Sequence, residues 1–408
     1  MRFDPYDPGF LEDPYPTYAD LRKGSPVFYD PAWGLTFFTR HADVSAILRD
    51  REHFGRDFRH RLDSAEVDQG LYRRIYPPEW PTWSRYIRES FIDLEPPRHT
   101  RLRRLVSQAF TRRSSEAFRP RLERAADQIL DRVLEEGKLE VIDDFATPIP
   151  VAMIAELMGI PGEDHAQVLR WSHAIVKVFD KNVSSVDGDA AEQATIDFVA
   201  YLTGVLQQRR RKKGEDLISS MLEVEDGGDT LTDEEIVGTS ILTLNAGHEA
   251  TVHAIGNGLL ALAGNRDQYQ RLRGGETGVE QAVDELLRFD SPLQMFERWV
   301  LADTELSGTR LEKGSKVGLL FGSANRDPDV FGPDHEELDL GRDPNPHVSF
   351  GAGLHYCVGA PLARVELEAA FGRFTARVAD LELRETSGRI QSLVFRGLQR
   401  LEIGVAAA

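Results

Sequence analysis

The chain has 408 residues, of which 41% are hydrophobic and 28% charged, a balance typical of a globular protein with enough apolar material for a core. Its formal net charge of -18 at pH 7 argues against nucleic acid as a partner, because phosphate repels an acidic surface. The chain has no basic start followed by an apolar stretch and no run long enough to span a bilayer, so we expect a soluble, cytoplasmic protein with no membrane partner.

The first hundred residues mix helical and strand patterns. A helix is predicted over Pro14–Lys23, followed by short strands around Val27–Tyr29 and Leu35–Thr39 and by a helix over His41–Asp50. The next segment, Phe54–Pro97, is rich in aromatic residues and arginines and has no clear periodicity. It predicts a long loop with short helices, which is either a binding element or an aromatic cluster packed on the core.

The run from Pro96 to Leu105 predicts the start of a helix. His99 and Arg103 stand four residues apart and therefore share one face of that helix. Together they can bind an anion, and the alternative is an ordinary solvated face. Arg101 and Arg104 project elsewhere.

Helices are predicted to dominate the middle of the chain. Apolar spacing predicts them over residues 122–133 with an end at Gly137, from Pro148 onward, and as a pair within residues 163–213 that separates near Val183–Asp189. The basic run Arg209–Lys213 follows the last of these helices and is expected only to decorate its C-terminal end, where cations are favourable.

A capping box at Thr232 and Glu235 predicts a long apolar helix that continues to about Leu262. Midway, Gly247 allows a ligand to approach closely, and Glu249 places an acid inside an apolar run. Buried acids in helices usually mark a function or a fixed partner. Further on, Glu285 and Arg288 stand one turn apart, as a simple surface ion pair would.

Cys357 is the only cysteine, so it cannot form an intrachain disulfide. A lone cysteine is most often a small buried hydrophobe. Here Gly351, Gly353 and Gly359 flank it, and the proline and apolar spacing that follow predict a helix directly behind it. The positive end of that helix favours a thiolate, which is a strong axial ligand for haem iron. A nucleophilic cysteine is the competing use, but no known Cys-His motif lies nearby.

The stretch Phe350–Gly359, with the pattern F-G-x-G-x-H-x-C-x-G, resembles the haem-ligand loop of the cytochrome P450 monooxygenases. The resemblance extends over essentially the whole chain. It implies a mainly α fold with a small β-rich region, one domain over residues 1–408, and one b-type haem bound non-covalently through the thiolate of Cys357.

The resemblance also implies which residues hold the haem. His99, Arg103, Arg298 and His355 correspond to the family's propionate-binding positions, where their positive charge neutralises both propionates. The family's remaining haem contacts fall on Ala246, Gly247, Phe350 and Gly351. The family's structural Glu-Arg-Arg triad, which braces the cysteine loop, falls on Glu285, Arg288 and Arg342. The Asn325–Pro328 segment matches its N-x-D-P turn.

One catalytic position departs from the family pattern A/G-G-x-D/E-T. The acid is Glu249, but the threonine that assists it in proton delivery is replaced by Ala250. Thr251 lies one residue later and about 100° around the helix, so it cannot simply substitute. Three replacements are open: a hydroxyl of the substrate, as in some family members, a water held by Glu249, or a local distortion that brings Thr251 or His248 into reach.

By the same resemblance, two segments are predicted to contact substrate. One contains Leu293, Met295 and Phe296, and the other contains Val394 and Phe395. The helix pair within residues 163–213 corresponds to a lid on which Trp171, Val176 and Phe179 either face substrate or belong to the core.

The predicted activity is insertion of one oxygen atom into an organic small molecule, by hydroxylation or epoxidation. A secondary-metabolite scaffold with polar groups is the expected substrate. Because the chain has no flavin or dinucleotide fingerprint, electrons are expected from NAD(P)H through a ferredoxin reductase and a ferredoxin. By the resemblance, Arg101 and Arg104 belong either to the face that docks an acidic ferredoxin or to a plainly solvated face. A monomer is expected. The alternatives are a peroxide-driven or oxidative-coupling haem-thiolate enzyme and a non-catalytic haem-binding recruitment module.

Overall fold

The computed structural model describes residues 3–179, 183–223, 225–226 and 229–408. Its α-helices are α1 (Pro8–Glu12), α2 (Tyr15–Gly24), α3 (His41–Arg49), α4 (Gln69–Ile75), α5 (Pro81–Arg88), α6 (Arg98–Ser107), α7 (Arg112–Glu116), α8 (Arg119–Glu136), α9 (Pro148–Met158), α10 (His165–Lys177), α11 (Ser185–Arg211), α12 (Leu217–Glu223), α13 (Asp233–Gly264), α14 (Arg266–Arg273), α15 (Val279–Phe289), α16 (Phe321–Ala324), α17 (Pro328–Phe331) and α18 (Ala360–Arg377).

The strands are β1 (Val27–Asp30), β2 (Leu35–Phe38), β3 (Phe54–Gly55), β4 (Lys138–Glu140), β5 (Glu225–Asp226), β6 (Asp229–Thr230), β7 (Met295–Val300), β8 (Thr304–Leu306), β9 (Thr309–Leu311), β10 (Lys316–Leu320), β11 (Val378–Arg389) and β12 (Leu398–Ala407). The prediction of a mainly α fold with a small β-rich region is confirmed. Within the described ranges, no helix combines the length and the hydrophobicity that a membrane crossing needs.

Several helix ends follow the local signals in the sequence. The backbone N–H of Glu235 donates to Thr232 Oγ1, and Thr232 N–H donates to a Glu235 carboxylate oxygen, so the capping box forms as predicted. Gly137 ends α8 in the left-handed conformation at φ 70°, which a glycine adopts without strain.

The predicted break in residues 163–213 is displaced. Helix α11 already begins at Ser185, because the side chain of Ser184 accepts from the N–H of Asp187 and caps the helix. The break therefore precedes Ser184, and residues 180–182 within it lie outside the described part of the chain.

Two compact units can be distinguished, and the first comprises the described residues up to Phe54 together with 115–150 and 250–408. Its main sheet has the strand order β1-β2-β10-β7-β3. Strand β10 is buried at all five positions. A Cβ at Gly318 would lie 2.5 Å from the Phe37 ring, so the glycine lets the neighbouring strand's aromatic lie flat against the sheet.

A long antiparallel hairpin, β11–β12, pairs with β4 in a second sheet of this unit. The connection between the two long strands, residues 390–397, is held by buried charge. Asp290 is bonded by Arg396 and Arg389, and Arg396 also donates to the carbonyls of Leu11 and Glu12. Burial alone would raise the pKa of Asp290, but the two arginines lower it below its usual value.

The second unit, residues 55–114 and 151–249, is built from helices packed on α11. Trp171 of α10 packs against Phe198 and Tyr201 of α11, with ring centroids 5.4 and 5.6 Å apart. Glu192 of α11 accepts the N–H groups of Thr82 and Trp83 and so caps α5. This packing supports the core interpretation of Trp171.

Candidate active site

Cys357 lies on a tight loop in the first unit. Its N–H donates to the carbonyl of Phe350 at 2.9 Å, and its side chain is exposed. Gly351 and Gly353 both adopt φ of 69°, in the left-handed region that favours glycine. A Cβ at Gly353 would lie 2.2 Å from the carbonyl oxygen of Leu48, so the glycine is also needed to place the loop against α3. The hydrogen bond to Phe350 and the two left-handed glycines thus shape a loop on which the sulfur of Cys357 is exposed.

The environment of Cys357 fits the axial ligand of a haem. The sulfur lies three residues ahead of α18, which has proline in its first turn. Unpaired N–H groups and the positive end of the helix favour the thiolate that binds iron. An exposed cysteine directly ahead of a helix is the donor that a haem-thiolate site requires.

Arg364, in the second turn of α18, holds this loop to α15. Its guanidinium lies 4.5 Å from the centroid of the Phe350 ring and donates to Asp284 at 2.8 Å and to Tyr356 at 3.2 Å. Burial would raise the pKa of Asp284, but bonds and charge from His347 and Arg364 lower it. Arg364 was not among the predicted site residues, although its place seven residues after the cysteine puts it on the helix that supports the loop.

The Glu285, Arg288 and Arg342 triad is formed, and its centre is fully buried. Glu285 and Arg288 both have 0% side-chain exposure, so they are not the surface pair that their spacing alone suggested. Arg288 donates twice to Glu285 and once each to the carbonyls of Asn325, His335 and Glu337. Arg342 Nε reaches Glu285 at 3.3 Å. One arginine therefore fixes the chain on both sides of α17.

The predicted propionate-binding residues occur in both units. In the first, Arg298 lies on β7 at 3% exposure, with its guanidinium 5.3 Å from the Phe296 ring, and His355 lies half-buried on the cysteine loop. In the second, His99 and Arg103 lie one turn apart on α6, and His99 is fully buried. Their role toward haem stays a prediction.

The catalytic positions lie at the middle of α13. The Thr251 hydroxyl donates to Glu366 of α18 at 3.4 Å, and both side chains are buried. Burial raises the pKa of Glu366 to about 8, against the smaller opposing effect of that hydrogen bond. Thr251 is thus turned toward α18, which agrees with its rotation of about 100° from position 250. Its catalytic role stays a prediction, as do those of Glu249 and Ala250.

Glu249 is adjacent to two histidines of its own unit. Nε2 of His173 on α10 lies 3.4 Å from its carboxylate, and Nε2 of His248 lies 3.6 Å from the same oxygen. Burial lowers the pKa of His173, although the charge of Glu249 opposes this shift. Sequence spacing gave no indication that position 173 would meet positions 248 and 249.

The cytochrome P450 family profile matches residues 68–274 and 278–377. The chain belongs to the cytochrome P450 family. It is 33% identical to the polyketide biosynthesis cytochrome P450 PksS of Bacillus subtilis, covering 100% of this chain and 99% of that protein. It is 34% identical to the 6-deoxyerythronolide B hydroxylase of Saccharopolyspora erythraea, covering 97% and 96%.

A solved structure of P450BioI in complex with a hexadec-9Z-enoic acid-ligated acyl carrier protein superposes with a TM-score of 0.89, at 32% identity, and covers 98% of this chain and 99% of that one. The chain is therefore a P450 monooxygenase with the P450 fold, and its cofactor is a haem held by the Cys357 thiolate. Bound haem supplies the activation of dioxygen.

The structure also gives a packing reason for a glycine at position 247, besides the predicted approach of a ligand. A Cβ at this position would lie 2.7 Å from Cδ1 of Ile154, so the missing side chain accommodates α9. Its role as a haem contact stays a prediction. Ala246, the residue before it, is exposed, although most of its neighbours on α13 are buried. As a haem contact of the P450, Ala246 stays a prediction.

The two predicted substrate segments of the P450 are joined to each other. Leu293 and Phe395 form an isolated antiparallel bridge, and the N–H of Gln294 donates to the carbonyl of Val394 at 2.8 Å. Met295 is 2% exposed and belongs to a core cluster. All five residues stay predicted substrate contacts.

Three further residues were predicted to contact a partner or substrate, and they differ in exposure and in the contacts they make. Arg101 donates to Glu235 at 2.7 Å and to the carbonyl of Thr230 at 2.6 Å, and its part in docking a ferredoxin stays a prediction. Arg104 is exposed. Phe179 is 40% exposed, with its ring 5.9 Å from Trp83.

The pH dependence of P450 stability should contain a contribution from Glu366. An unfolded glutamate titrates near pH 4.3, whereas Glu366 has a pKa of about 8 in the fold. Between these values the folded state keeps a proton that the unfolded state releases, so the free energy of unfolding falls as pH rises. The free energy of unfolding of the wild type should therefore fall by on the order of 3 kcal/mol between pH 5 and pH 8 through this group, and Glu366→Gln should not show this fall.

Urea unfolding at a series of pH values measures this slope. Glu385→Gln, at an exposed position of β11, is the matched control and should keep the wild-type slope. An unchanged slope in Glu366→Gln would show that Glu366 is ionised in the fold.

Proposed function

We propose that this P450 hydroxylates or epoxidises a polyketide-type scaffold that carries its own hydroxyl group near the site of oxidation. The observation that carries the proposal is the hydrogen bond from Thr251 to Glu366. Ala250 has no hydroxyl, and the next hydroxyl along the helix is directed to α18. A substrate hydroxyl positioned by binding is then the simplest proton donor beside Glu249.

The substrate class is supported by the named relatives. One acts in polyketide biosynthesis and another is a 6-deoxyerythronolide B hydroxylase. The BioI structure holds its fatty acyl chain on an acyl carrier protein. These likenesses favour a long, partly oxygenated carbon skeleton, delivered either free or on a carrier. Electrons would come from NAD(P)H through a ferredoxin reductase and a ferredoxin, since the chain carries no flavin or dinucleotide fingerprint.

The first experiment is a titration of the purified ferric protein with hydroxylated polyketides, supplied both free and attached to an acyl carrier protein. A substrate that displaces the iron-bound water shifts the Soret band from low spin to high spin. A shift with only the carrier-bound form identifies the carrier as a partner. The proposal fails if fatty acids or terpenoids without hydroxyl groups shift the band and polyketides do not.

A peroxide-driven or oxidative-coupling reaction is the second candidate, because the same Ala250 removes the usual aid to proton delivery. Turnover with hydrogen peroxide at a rate equal to or above that with ferredoxin, its reductase and NAD(P)H would favour it. Peroxide turnover far below the ferredoxin-supported rate would favour the monooxygenase.

Ala250→Thr should make the enzyme less dependent on the substrate's hydroxyl. With a deoxy analogue, we expect the wild type to release peroxide instead of product and Ala250→Thr to improve coupling by about 10-fold or more. Ala250→Val is the matched control, because valine has the shape of threonine without its hydroxyl. The measurement is product formed per NAD(P)H consumed. Equal coupling of the two variants would contradict the substrate-hydroxyl hypothesis.

A further inference from the structure

Three side chains with metal-ligating atoms meet between α10 and α13 in the second unit. Nε2 of His173, Nε2 of His248 and a carboxylate oxygen of Glu249 all lie within 4.8 Å of one another. The two histidine nitrogens are 3.4 and 3.6 Å from Glu249 Oε1. Ligand atoms around a tetrahedral ion with bonds near 2.1 Å are roughly 3.4 Å apart, so the two histidine-to-glutamate distances already match a coordination sphere.

The tautomer of His248 is fixed by its backbone contact. Its Nδ1 lies 2.8 Å from the carbonyl of Leu244, and a carbonyl only accepts, so Nδ1 carries a proton. In a neutral ring, Nε2 then presents a lone pair. Histidines that bind metals usually donate their other N–H to a carbonyl or carboxylate in this way.

The position of His248 Nε2 points to a cation. The residue is 2% exposed, and this nitrogen is buried without a hydrogen-bond partner among the described residues. In the neutral ring this nitrogen is an acceptor, and it lies 3.6 Å from a carboxylate oxygen of Glu249, which is too long for a hydrogen bond. A positive ion bound at this cluster would give the His248 nitrogen a partner. His173 is 54% exposed at its side chain, so an ion can enter from that side.

We propose that His173, His248 and Glu249 bind a divalent transition-metal ion, with Zn²⁺ as the representative. Two imidazoles and one carboxylate suit zinc and its neighbours in the first row, whereas Mg²⁺ and Ca²⁺ prefer all-oxygen sites. The three protein ligands leave one position for water. The bound ion ties α10 to α13.

Metal binding would also regulate turnover. The ion occupies the Glu249 carboxylate, so it withdraws the acid that delivers protons, and this consequence rests on the proposed function of Glu249. The site itself does not depend on that role. We therefore expect zinc to inhibit the P450 by binding in the second unit, without displacing haem.

The test is a zinc titration of chelator-treated, haem-loaded protein in competition with a chromophoric chelator. One equivalent should bind, and His173→Ala should weaken binding on the order of 100-fold or more. His173 is largely exposed, so this variant should fold normally. His60→Ala removes an exposed histidine of the same unit and should bind zinc like the wild type. Zinc should raise the melting temperature of the wild type and not that of His173→Ala.

Equal zinc affinity of the wild type and His173→Ala would overturn the proposal. Stoichiometric binding that depends on His173 but does not inhibit turnover would overturn the regulatory consequence and count against the role of Glu249. Competition by millimolar Mg²⁺ would contradict the assignment to a nitrogen-binding metal.

Discussion

Arg288→Ala is expected to lower the free energy of unfolding by about 3–5 kcal/mol, because it leaves the buried Glu285 carboxylate without its main partner. All five guanidinium N–H groups of Arg288 are used, two on Glu285 and three on carbonyls of the segment 325–337. Removing them leaves those carbonyls unsatisfied as well. Urea unfolding and the haem content of the purified protein measure the effect.

Arg266→Ala is the matched control for this prediction. Arg266 pairs with Asp380 at the surface, with 61% and 47% side-chain exposure, and its loss should change stability by less than about 1 kcal/mol. Arg288→Lys should remain strongly destabilised, because an ammonium has three donors at one point and cannot reproduce the planar fork. Equal stability of Arg288→Ala and Arg266→Ala would show that the buried triad does not support the fold.

Cys357→Ser is expected to abolish the thiolate signature of the haem and to reduce monooxygenase turnover on the order of 10³-fold or more. A serine hydroxyl stays protonated near neutral pH and is a poor ligand for iron, so the electron donation of the thiolate is lost. The ferric Soret spectrum and the carbon monoxide difference spectrum report the ligand directly, and product formation reports turnover.

Gly359→Ala controls for disturbance of the loop. A Cβ at Gly359 would lie 3.9 Å from Cys357 Sγ, an ordinary van der Waals distance, and the residue has a helical φ of -81°. This variant should keep the thiolate spectrum. Because Cys357 is the only cysteine, a spectrum of Cys357→Ser identical to that of the wild type would show that the wild-type spectrum does not report a thiolate ligand.

Local signals in the sequence predicted much of the fold. The capping box at Thr232 and the glycine at position 137 predicted two helix ends, and the structure confirms both. These signals are local, because each depends on contacts within one helical turn. The cysteine loop was predictable for the same reason: its glycines and following helix are contiguous with Cys357.

The parts that escaped prediction depend on contacts between distant residues. Thr251 and Glu366 are 115 positions apart, so spacing could exclude Thr251 from the catalytic face but could not name its partner. The sequence likewise does not reveal that Ile154 packs against Gly247. The Glu285–Arg288 spacing is the same for an exposed and a buried pair, and only the tertiary fold distinguishes them.

The bridge between Leu293 and Phe395 has a consequence for how substrate range evolves. Because the backbone of residues 292–294 bonds to that of 394–396, a shift in either segment moves the other. Mutations in the two segments should be epistatic, since residues that share partners do not contribute independently. Single-site scans of these two predicted substrate segments would then undervalue both, and libraries that vary positions 293, 296, 394 and 395 jointly would reveal effects that stepwise selection passes over.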